Sequence, residues 1–569
     1  MKRIEQLRQF LAWFWLVAKP YWFNGQQKWK ALGLLLLIVI FIVLETQSSA
    51  LLNQYQGEFT TALTDKKVQL FHSYLITFGA VLLAYLVFAI LEYFLTEKLK
   101  LYWRNWLTNH FLDSYFSQQA FYKINGNKYI DNPDQRIAED IDSFISSSLT
   151  YTLSFGSNIL TGFLFINILW SINQKLVLVA LVTAFLQTLI SFLIGRVLTP
   201  LNYKNLEYQA DFRYSLVHVR DNSESIAFYK GENEERAILT ERFDRLLDVI
   251  NRKILPFSVL NGLNISLTFV VFIVAYLILA PQYFSGQITI GDVTRSVPAF
   301  LTVVGVFSWF ASYFDNLALF ASVIKRLGVF AQFFRDNEGA IYNKETVNRV
   351  IEPRFGFSQV TLQTPDHERT LVKDLCLEVP SGDGLLIMGA SGSGKSSLLR
   401  LIAGLWNSGS GYVYHPPSEE ILFLPQRPYM VLGSLRNQIV YPHRGENYSD
   451  EHIQSILEKV NLADLTARVG GLDVVLNWAD VLSLGEQQRL GFARLLLVNP
   501  KYAVLDESTS ALDIPNERLV YSILQNSPIT YISVGHRPTL VPYHGFVLEI
   551  LPGANWRIIS QQQYSKREK

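Results

Sequence analysis

Apolar residues cluster in the first half of the chain, where long hydrophobic segments alternate with polar stretches. Each segment is close to the roughly 20 residues that an α-helix needs to cross the hydrocarbon core of a bilayer. One such segment is also compatible with a buried helix of a soluble protein, but six in one chain indicate a membrane domain. We predict spans at Ala31–Leu52, Ser73–Leu95, Thr150–Ile172, Leu176–Gly195, Phe257–Leu279 and Val293–Tyr313.

The hydrophobic pattern changes on both sides of this membrane domain, which we place at residues 31–322. Residues 1–30 contain the aromatic, amphipathic stretch Gln9–Tyr21, which favours an elbow helix along the membrane surface. Residues 323–352 are charged and are predicted to form a linker. From 353 to 569, short apolar runs alternate with helical patterns, which indicates an α/β domain with a parallel sheet.

The placement of Lys and Arg predicts the orientation of the spans. Basic residues flank the first span on its N-terminal side and recur in the long connections after the second and fourth spans. The connections after the third and fifth spans are short and nearly free of basic residues. Because cytoplasmic loops carry the excess of positive charge, we expect the N-terminus, both long loops and the C-terminal domain to be cytoplasmic. Each long loop is expected to be a helical hairpin that extends beyond the bilayer.

Several polar residues fall inside or at the edge of the predicted spans. A charge at the bilayer midplane costs about 2.5–3.5 kcal/mol on insertion scales, so such residues tend to face a bundle interior or a water-filled cavity. Glu45 and Arg295 are expected to reach the interface. For Glu92, Asn261 and Asn264, cavity lining and an interfacial position both remain open. The other members of the set are Asn158, Asn167 and Asp315.

The composition supports partial embedding in a membrane. Charged residues make up 17% of the chain, below the average of about 25%, whereas 49% are apolar. The formal net charge of +1 gives no indication of a nucleic-acid partner. The single cysteine, Cys376, excludes an intramolecular disulfide and is expected to be buried. No signal-peptide pattern precedes the first span, so we expect none.

A phosphate-binding loop is predicted at Gly389–Ser396, whose sequence GASGSGKS matches the Walker A pattern G-x-x-x-x-G-K-[ST]. An apolar run precedes it and a helical stretch follows it, as the motif requires. Its glycines let backbone amides approach phosphate oxygens, and the helix N-terminus favours an anion. Lys395 is expected to reach the β- and γ-phosphates of ATP, and Ser396 to hold Mg²⁺. The predicted nucleotide-binding residues here are Gly389, Ala390, Ser391, Gly392, Ser393, Gly394, Lys395, Ser396 and Ser397.

A second chemical cluster lies at Tyr502–Glu507, which reads YAVLDE. The apolar run predicts a buried strand that ends in two carboxylates. Asp506 is placed to hold Mg²⁺, and Glu507 is placed to polarise the water that attacks the γ-phosphate.

The stretch Leu482–Arg489, LSLGEQQR, resembles the signature motif of ATP-binding cassette (ABC) transporters, although Leu484 replaces the commoner glycine. Gln426, residues 510–513 and His536 resemble the Q-loop, D-loop and switch histidine of that family, in the same order. The resemblance implies catalytic roles for Glu507, His536 and Gln426. It implies Mg²⁺ ligands at Ser396, Gln426 and Asp506, and further nucleotide contacts from Ser483, Gly485, Glu486 and Asp513.

One position departs from the family pattern. Many cassettes stack adenine on an aromatic residue about 25 positions before the phosphate loop, where this chain has Thr364. Base stacking is therefore expected to be weaker or to come from another residue.

The membrane half is similar to subfamily D of the ABC transporters. The similarity rests on Trp103–Thr108, Asn132–Asp140 and Asp211–Glu232, together with Trp478–Asp480 before the signature. That group includes peroxisomal acyl-CoA transporters, a lysosomal cobalamin transporter, bacterial fused permease–ATPases and the SbmA/BacA peptide-uptake permeases, which share the membrane domain. The resemblance implies an exporter-type membrane domain of six helices followed by a P-loop ATPase domain.

The resemblance also implies how the protein works. Two chains pair head to tail, so that the signature of one completes the nucleotide site of the other, and a homodimer suffices. ATP binding and hydrolysis then drive alternating access. The cargo remains open between uptake of cobalamin, another hydrophilic solute or a peptide, and export of fatty acid or acyl-CoA. An ATP-gated channel or regulator is the alternative from another class. A bacterial plasma membrane is the expected location.

Overall fold

The computed structural model divides the chain into two units, Met1–Gly339 and Ala340–Lys569, and each folds around its own core. The structure describes residues 2–25, 27–125, 130–312, 314–338, 346–443 and 448–567. The predicted boundaries at residues 30, 322 and 352 remain predictions.

The first unit consists of helices. Of its described residues, six helices are long and apolar enough to cross a membrane, and each overlaps one predicted span. Tyr313, the predicted end of the sixth span, lies outside the described residues. The helices are α1 (Lys2–Lys19), α2 (Lys28–Thr64), α3 (Val68–Phe116), α4 (Ala120–Asn125), α5 (Pro133–Gln135), α6 (Ile141–Ile172), α7 (Gln174–Asp221), α8 (Ser223–Tyr229), α9 (Glu232–Phe284), α10 (Ile290–Ser312) and α11 (Phe314–Glu338).

Helices α3, α7 and α9 continue far beyond the apolar segments that predict them. They contain 49, 48 and 53 residues. At 1.5 Å per residue, each is about 70–80 Å long, more than twice the thickness of the hydrocarbon core. The long connections after the second and fourth spans are therefore largely helical.

Aromatic packing and one half-buried ion pair hold several helices of this unit together. The rings of Tyr21 and Trp103 stack with centroids 5.5 Å apart. Trp13 packs so closely on α11 that a Cβ atom at Gly328 would lie 2.4 Å from its ring. In the stretch Asn132–Asp140, the buried Asp140 accepts a hydrogen bond of 2.7 Å from Arg326 Nε. This stretch therefore anchors α11.

The polar residues of the spans have protein partners in several cases. Thr96 Oγ1 donates to Glu92 Oε1 at 3.0 Å, and Glu45 is hydrogen-bonded to Tyr85. Arg295 forms an ion pair of 2.8 Å with Asp292.

The second unit contains two sheets with helices packed on them. The first sheet has the order β1-β5-β2-β3, and the second has the order β10-β9-β4-β8-β7-β6. The strands are β1 (Asn348–Ile351), β2 (Phe355–Gln363), β3 (Thr370–Val379), β4 (Gly384–Gly389), β5 (Gly409–His415), β6 (Ile421–Leu424), β7 (Tyr502–Asp506), β8 (Thr530–Val534), β9 (Phe546–Ile550) and β10 (Trp556–Ser560). The helices are α12 (Lys395–Ile402), α13 (Leu435–Val440), α14 (Asp450–Lys459), α15 (Leu465–Val469), α16 (Trp478–Val481), α17 (Leu484–Val498), α18 (Ile514–Gln525) and α19 (Gln561–Arg567).

The register of the second sheet positions the site. Strands β4, β8, β7 and β6 run parallel, so their carboxyl ends meet at one edge. Val534 at the end of β8 pairs with Ile387 of β4 and with Asp506 of β7. In open α/β sheets, ligands bind at this edge. The phosphate loop and the two carboxylates therefore meet, although they are more than 100 residues apart in the sequence.

The expectation that Cys376 is buried is wrong, because the side chain is exposed. It lies on β3, where successive side chains point to opposite faces. Leu375 faces the core and is fully buried, so its neighbour faces outward.

Candidate active site

The phosphate loop connects β4 to α12 through backbone conformations that favour glycine. Gly392 and Gly394 have φ angles of 75° and 101°, and Gly394 precedes the first residue of α12. At Gly389, φ is 154°, and a Cβ atom would lie 2.8 Å from the Ile550 carbonyl oxygen. The loop thus passes close to the neighbouring strand end and turns directly into a helix N-terminus.

Lys395 lies over this loop. Its Nζ donates to the carbonyl oxygens of Gly389 at 3.0 Å and Ala390 at 2.9 Å. Burial lowers the pKa of Lys395, and the nearby charges of Glu507 and Asp506 oppose that shift. The ammonium group therefore lies near two carboxylates and can interact with an anion in the loop.

The remaining loop residues are arranged around the same turn. Ala390 and Ser391 are exposed, whereas Ser397 is buried on α12. The Oγ atom of Ser393 is buried and has no hydrogen-bond partner in the described part of the chain. An unpaired buried hydroxyl is costly, so a ligand oxygen at this position would stabilise the loop.

Ser396 and Asp506 are joined directly, because Ser396 Oγ donates to Asp506 Oδ1 at 3.1 Å. Burial raises the pKa of Asp506, and the hydrogen bond from Ser396 opposes that shift. A hydroxyl and a carboxylate are the hard oxygen donors that Mg²⁺ prefers, and Mg²⁺ sites commonly use one or two carboxylates with substrate phosphates. The pair fits this ion.

Glu507 is the meeting point of the other predicted catalytic residues. Gln426 Nε2 donates to its Oε2 at 3.0 Å, and His536 Nε2 lies 2.7 Å from its Oε1. The φ angle of Glu507 is 46°, an uncommon conformation for this residue type. Its backbone N–H donates to the Val534 carbonyl oxygen at 3.1 Å, which fixes the turn at the strand end. The structure therefore brings Glu507, Gln426 and His536 together.

The signature residues form a separate group. Ser483 caps the N-terminus of α17 in a capping box with Glu486. Arg468 forms an ion pair of 2.6 Å with Glu486. Burial raises the pKa of Glu486, but the bonds from Arg468 and Ser483 outweigh it and leave the pKa lowered. Gly485 lies against the D-loop, since a Cβ atom there would be 3.1 Å from the Ala511 carbonyl oxygen.

Asp513 caps the next helix of this group. Its Oδ1 accepts from the backbone N–H of Asn516, at the start of α18, at 3.2 Å. Within the described ranges, no hydrogen bond or ion pair connects Ser483, Gly485, Glu486 or Asp513 to the phosphate loop of the same chain.

Sequence reasoning missed Gln488, which links the site elements. Its side chain is 1% exposed. Its Nε2 donates to the Gln426 carbonyl oxygen at 2.9 Å and to Ser510 Oγ at 3.2 Å, while its Oε1 accepts from Ala511 N–H at 2.9 Å. It thereby joins the Q-loop, the signature helix and the D-loop. The sequence signal for this role was a glutamine on the apolar face of a predicted helix. Such a residue is expected to be buried, and buried polar groups need hydrogen-bond partners.

Thr364 lies in a tight turn between β2 and β3. Its backbone N–H donates to the Arg369 carbonyl oxygen at 2.9 Å. Arg369 approaches the phosphate loop, with Nη2 3.4 Å from the Gly392 carbonyl oxygen.

The two units match models of known families. Residues 20–284 match the model described as ABC transporter transmembrane region 2, and residues 372–510 match the model described as ABC transporter. Together with the geometry above, this defines the class: an ATPase domain joined to a membrane transport domain.

Relatives along nearly the whole chain identify the family. The chain is 40% identical to an uncharacterized ABC transporter ATP-binding protein of Synechocystis sp., over 94% of this chain and 82% of that protein. It is 37% identical to ABC transporter D family member 2, chloroplastic, of Arabidopsis thaliana, over 98% of this chain and 89% of that protein. It is 31% identical to the lysosomal cobalamin transporter ABCD4 of Homo sapiens, over 97% of this chain and 96% of that protein.

The chain belongs to the ABC transporter family, and its relatives include members of subfamily D. It is similar in fold to a bacterial Atm1-family ABC exporter solved with ATP bound, with a TM-score of 0.73 and 18% identity over 96% of this chain and 97% of that one. The predicted family and fold class are confirmed. The protein is an integral membrane half-transporter with an exporter fold, and its ATPase domain couples ATP hydrolysis to transport.

Proposed function

We propose that two copies of this chain form an ATP-driven transporter that works by alternating access. The observation that carries the proposal is the convergence of Gln426 and His536 on Glu507, at 3.0 and 2.7 Å, beside the linked pair Ser396 and Asp506. Such an arrangement is suited to hydrolysis rather than to nucleotide binding alone, because a carboxylate is held ready at the phosphate loop.

The residues divide into three roles at this site. Lys395 and the amides of residues 389–397 bind the β- and γ-phosphates of ATP. Ser396, Asp506 and Gln426 would hold Mg²⁺, and the ion would neutralise charge on the phosphate oxygens. Glu507 orients the attacking water, and His536 holds the Glu507 carboxylate in place from the other side.

Ser483, Gly485, Glu486 and Asp513 serve the nucleotide of the partner chain in this proposal. Support comes from their separation from the phosphate loop of their own chain in the described contacts, and from their stable placement by caps at α17 and α18. One chain carries one membrane domain and one ATPase domain, so a homodimer supplies two complete sites.

The cargo we propose is a hydrophilic solute taken up from outside, such as cobalamin or a peptide, through a bacterial inner membrane with the ATPase domain in the cytoplasm. The human relative is a lysosomal cobalamin transporter, which supports this class. Export of fatty acid or acyl-CoA is the competing cargo class.

The test is transport by purified protein reconstituted in proteoliposomes, with cobalamin, a peptide and an acyl-CoA offered separately on each side. We expect ATP-dependent accumulation of one hydrophilic cargo, and its loss in Glu507→Gln. If acyl-CoA alone accumulates, the proposed hydrophilic cargo is wrong and acyl-CoA takes its place. ATP-dependent ion conductance without accumulation would establish a channel.

A further inference from the structure

A polar cavity opens at one end of the membrane domain, between α2, the turn that follows it and the start of α10. Its volume is about 330 Å³, within the range of small-molecule sites. The polar groups that matter here are Glu58, Thr61, Asp65, Lys67, Asp292 and Arg295. The predicted topology puts this end of the helices on the external face.

The walls of the cavity are fixed by backbone contact between the two helices. A Cβ atom at Gly57 would lie 2.8 Å from the Gly291 carbonyl oxygen, so only glycines permit this approach. Thr61 Oγ1 accepts a hydrogen bond from the Gly291 N–H at 3.0 Å. The helices therefore meet beside the cavity, and its polar side chains are held in place.

Two of its carboxylates are already neutralised. Asp292 Oδ2 accepts from the Thr289 N–H at 2.9 Å, and its Oδ1 accepts from Arg295 Nη2 at 2.8 Å. Asp65 pairs with Lys67 at 2.9 Å. Neither aspartate needs a ligand.

The third carboxylate has bonding capacity left. Glu58 accepts from Gln54 Nε2 at 2.7 Å, but in the described part of the chain no cation lies within ion-pair distance of it. With three carboxylates and two cations lining it, the cavity has a net negative charge.

We propose that this cavity binds a small solute that presents an amine cation to Glu58. The N-terminus of a short peptide carries such an ammonium group. Charge-assisted hydrogen bonds of this kind are about twice as strong as neutral ones. The inference rests on the proposed uptake function and deepens it, because it puts a recognition site on the predicted entry side.

The experiment uses full-length protein in nanodiscs and isothermal titration calorimetry. The probes are alanyl-alanine amide, which has a free amine, and its N-acetylated form, which is neutral. We expect the amine probe to bind and the acetylated probe to bind about tenfold or more weakly. Equal binding of the two, or no binding of the amine probe, would overturn the site.

Variants locate the binding. We expect Glu58→Gln to weaken the amine probe by about tenfold or more, because it removes the charge and keeps the shape. The matched control is Glu139→Gln, since Glu139 also accepts from a glutamine one turn earlier, Gln135 Nε2, at 3.1 Å, and lies outside the cavity. Unchanged binding in Glu58→Gln, or an equal loss in Glu139→Gln, contradicts the proposal.

Basal ATPase activity of the same samples separates this inference from the function on which it rests. We expect Glu58→Gln to retain that activity. If wild-type protein hydrolyses ATP but does not bind the amine probe, the cavity proposal is wrong and the proposed function is unaffected. If wild-type protein has no ATPase activity, the result counts against the proposed function. If Glu58→Gln loses ATPase activity through misfolding, the comparison of the two probes on wild-type protein decides.

Discussion

Glu507 Oε1 lies 2.7 Å from His536 Nε2, at the junction where β7 ends and the chain leaves β8. The two residues are brought together by the parallel pairing of these strands, in which Asp506 is the partner of Val534. The contact leaves the Glu507 carboxylate oriented toward the end of the sheet where the phosphate loop lies.

The first prediction concerns Glu507→Gln. We expect ATP hydrolysis to fall by about 100-fold or more, the range for loss of a positioned general base. Mg-ATP binding should persist, because the phosphate loop and Asp506 are unchanged. Phosphate release and nucleotide binding by the purified variant measure the two effects, and near-normal turnover would remove Glu507 from the mechanism.

Trapped ATP should also hold two chains together. Cysteines replacing Ser391 and Leu484, in a background where the exposed Cys376 is changed to serine, are expected to crosslink between chains. The crosslinks should increase with ATP when Glu507→Gln is present. Crosslinks that form only within one chain, or equally without nucleotide, contradict the head-to-tail dimer.

Lys395→Ala is expected to abolish ATPase activity, because the loop loses the cation that faces the β- and γ-phosphates. Lys373→Ala removes an exposed lysine from the same domain and serves as the control. ATPase activity and the binding of a fluorescent ATP analogue are measured together. Normal turnover in folded Lys395→Ala would refute the phosphate-loop assignment.

Gln488→Ala tests the residue that links the Q-loop, signature helix and D-loop. It removes the three hydrogen bonds of this buried amide, each of which contributes about 0.5–1.5 kcal/mol to stability. We expect a lower unfolding temperature and a kcat that falls more than ATP affinity does. Gln487→Ala is the matched control, since among the described residues that buried side chain bonds to carbonyl oxygens beside its own helix, those of Ala479 and Leu482. Equal kinetic effects would make Gln488 merely structural.

The predicted topology is tested by cysteine labelling in intact cells, again without Cys376. A cysteine at Ser285, in the short connection between α9 and α10, is expected to react with an impermeant reagent. One at Glu232, at the start of α9, should react only after the membrane is opened. The reverse pattern would invert the orientation and move the polar cavity to the cytoplasmic side.

His544 predicts a loss of stability in acid. Burial lowers its pKa to about 4, from an ordinary value near 6.5. A lowered pKa means that the stability is complete above pH 6.5 and is lost as the pH falls toward about 4, because only the unfolded chain takes up the proton in that window. The loss amounts to about 3 kcal/mol.

Thermal unfolding of the full chain between pH 7 and 4 measures this effect. His544→Phe should flatten the dependence, whereas His452→Phe, which replaces an exposed histidine of the same unit, should not. Parallel curves for wild type and His544→Phe would exclude the buried imidazole as the cause.

The sequence by itself determined the features that depend only on residues close together along the chain. The spans follow from local hydrophobicity, because every backbone group in lipid must be satisfied within a helix and a helix must match the bilayer thickness. Gly389–Ser396 and Tyr502–Glu507 are equally local, since a loop that binds phosphate and a strand that ends in carboxylates require particular residues at fixed spacing.

Only the tertiary structure decided which distant residues meet. Gln488 reaches Gln426 and Ser510 because helix packing brings three loops around one buried amide, and no periodicity along the chain encodes that contact. The exposure of Cys376 depends on which face of β3 points inward. Glu58 and Arg295 line one cavity because Gly57 and Gly291 let α2 and α10 touch, across more than 230 residues of sequence. Side-chain chemistry is local, whereas the distance between two side chains is set by the packing of the elements that carry them.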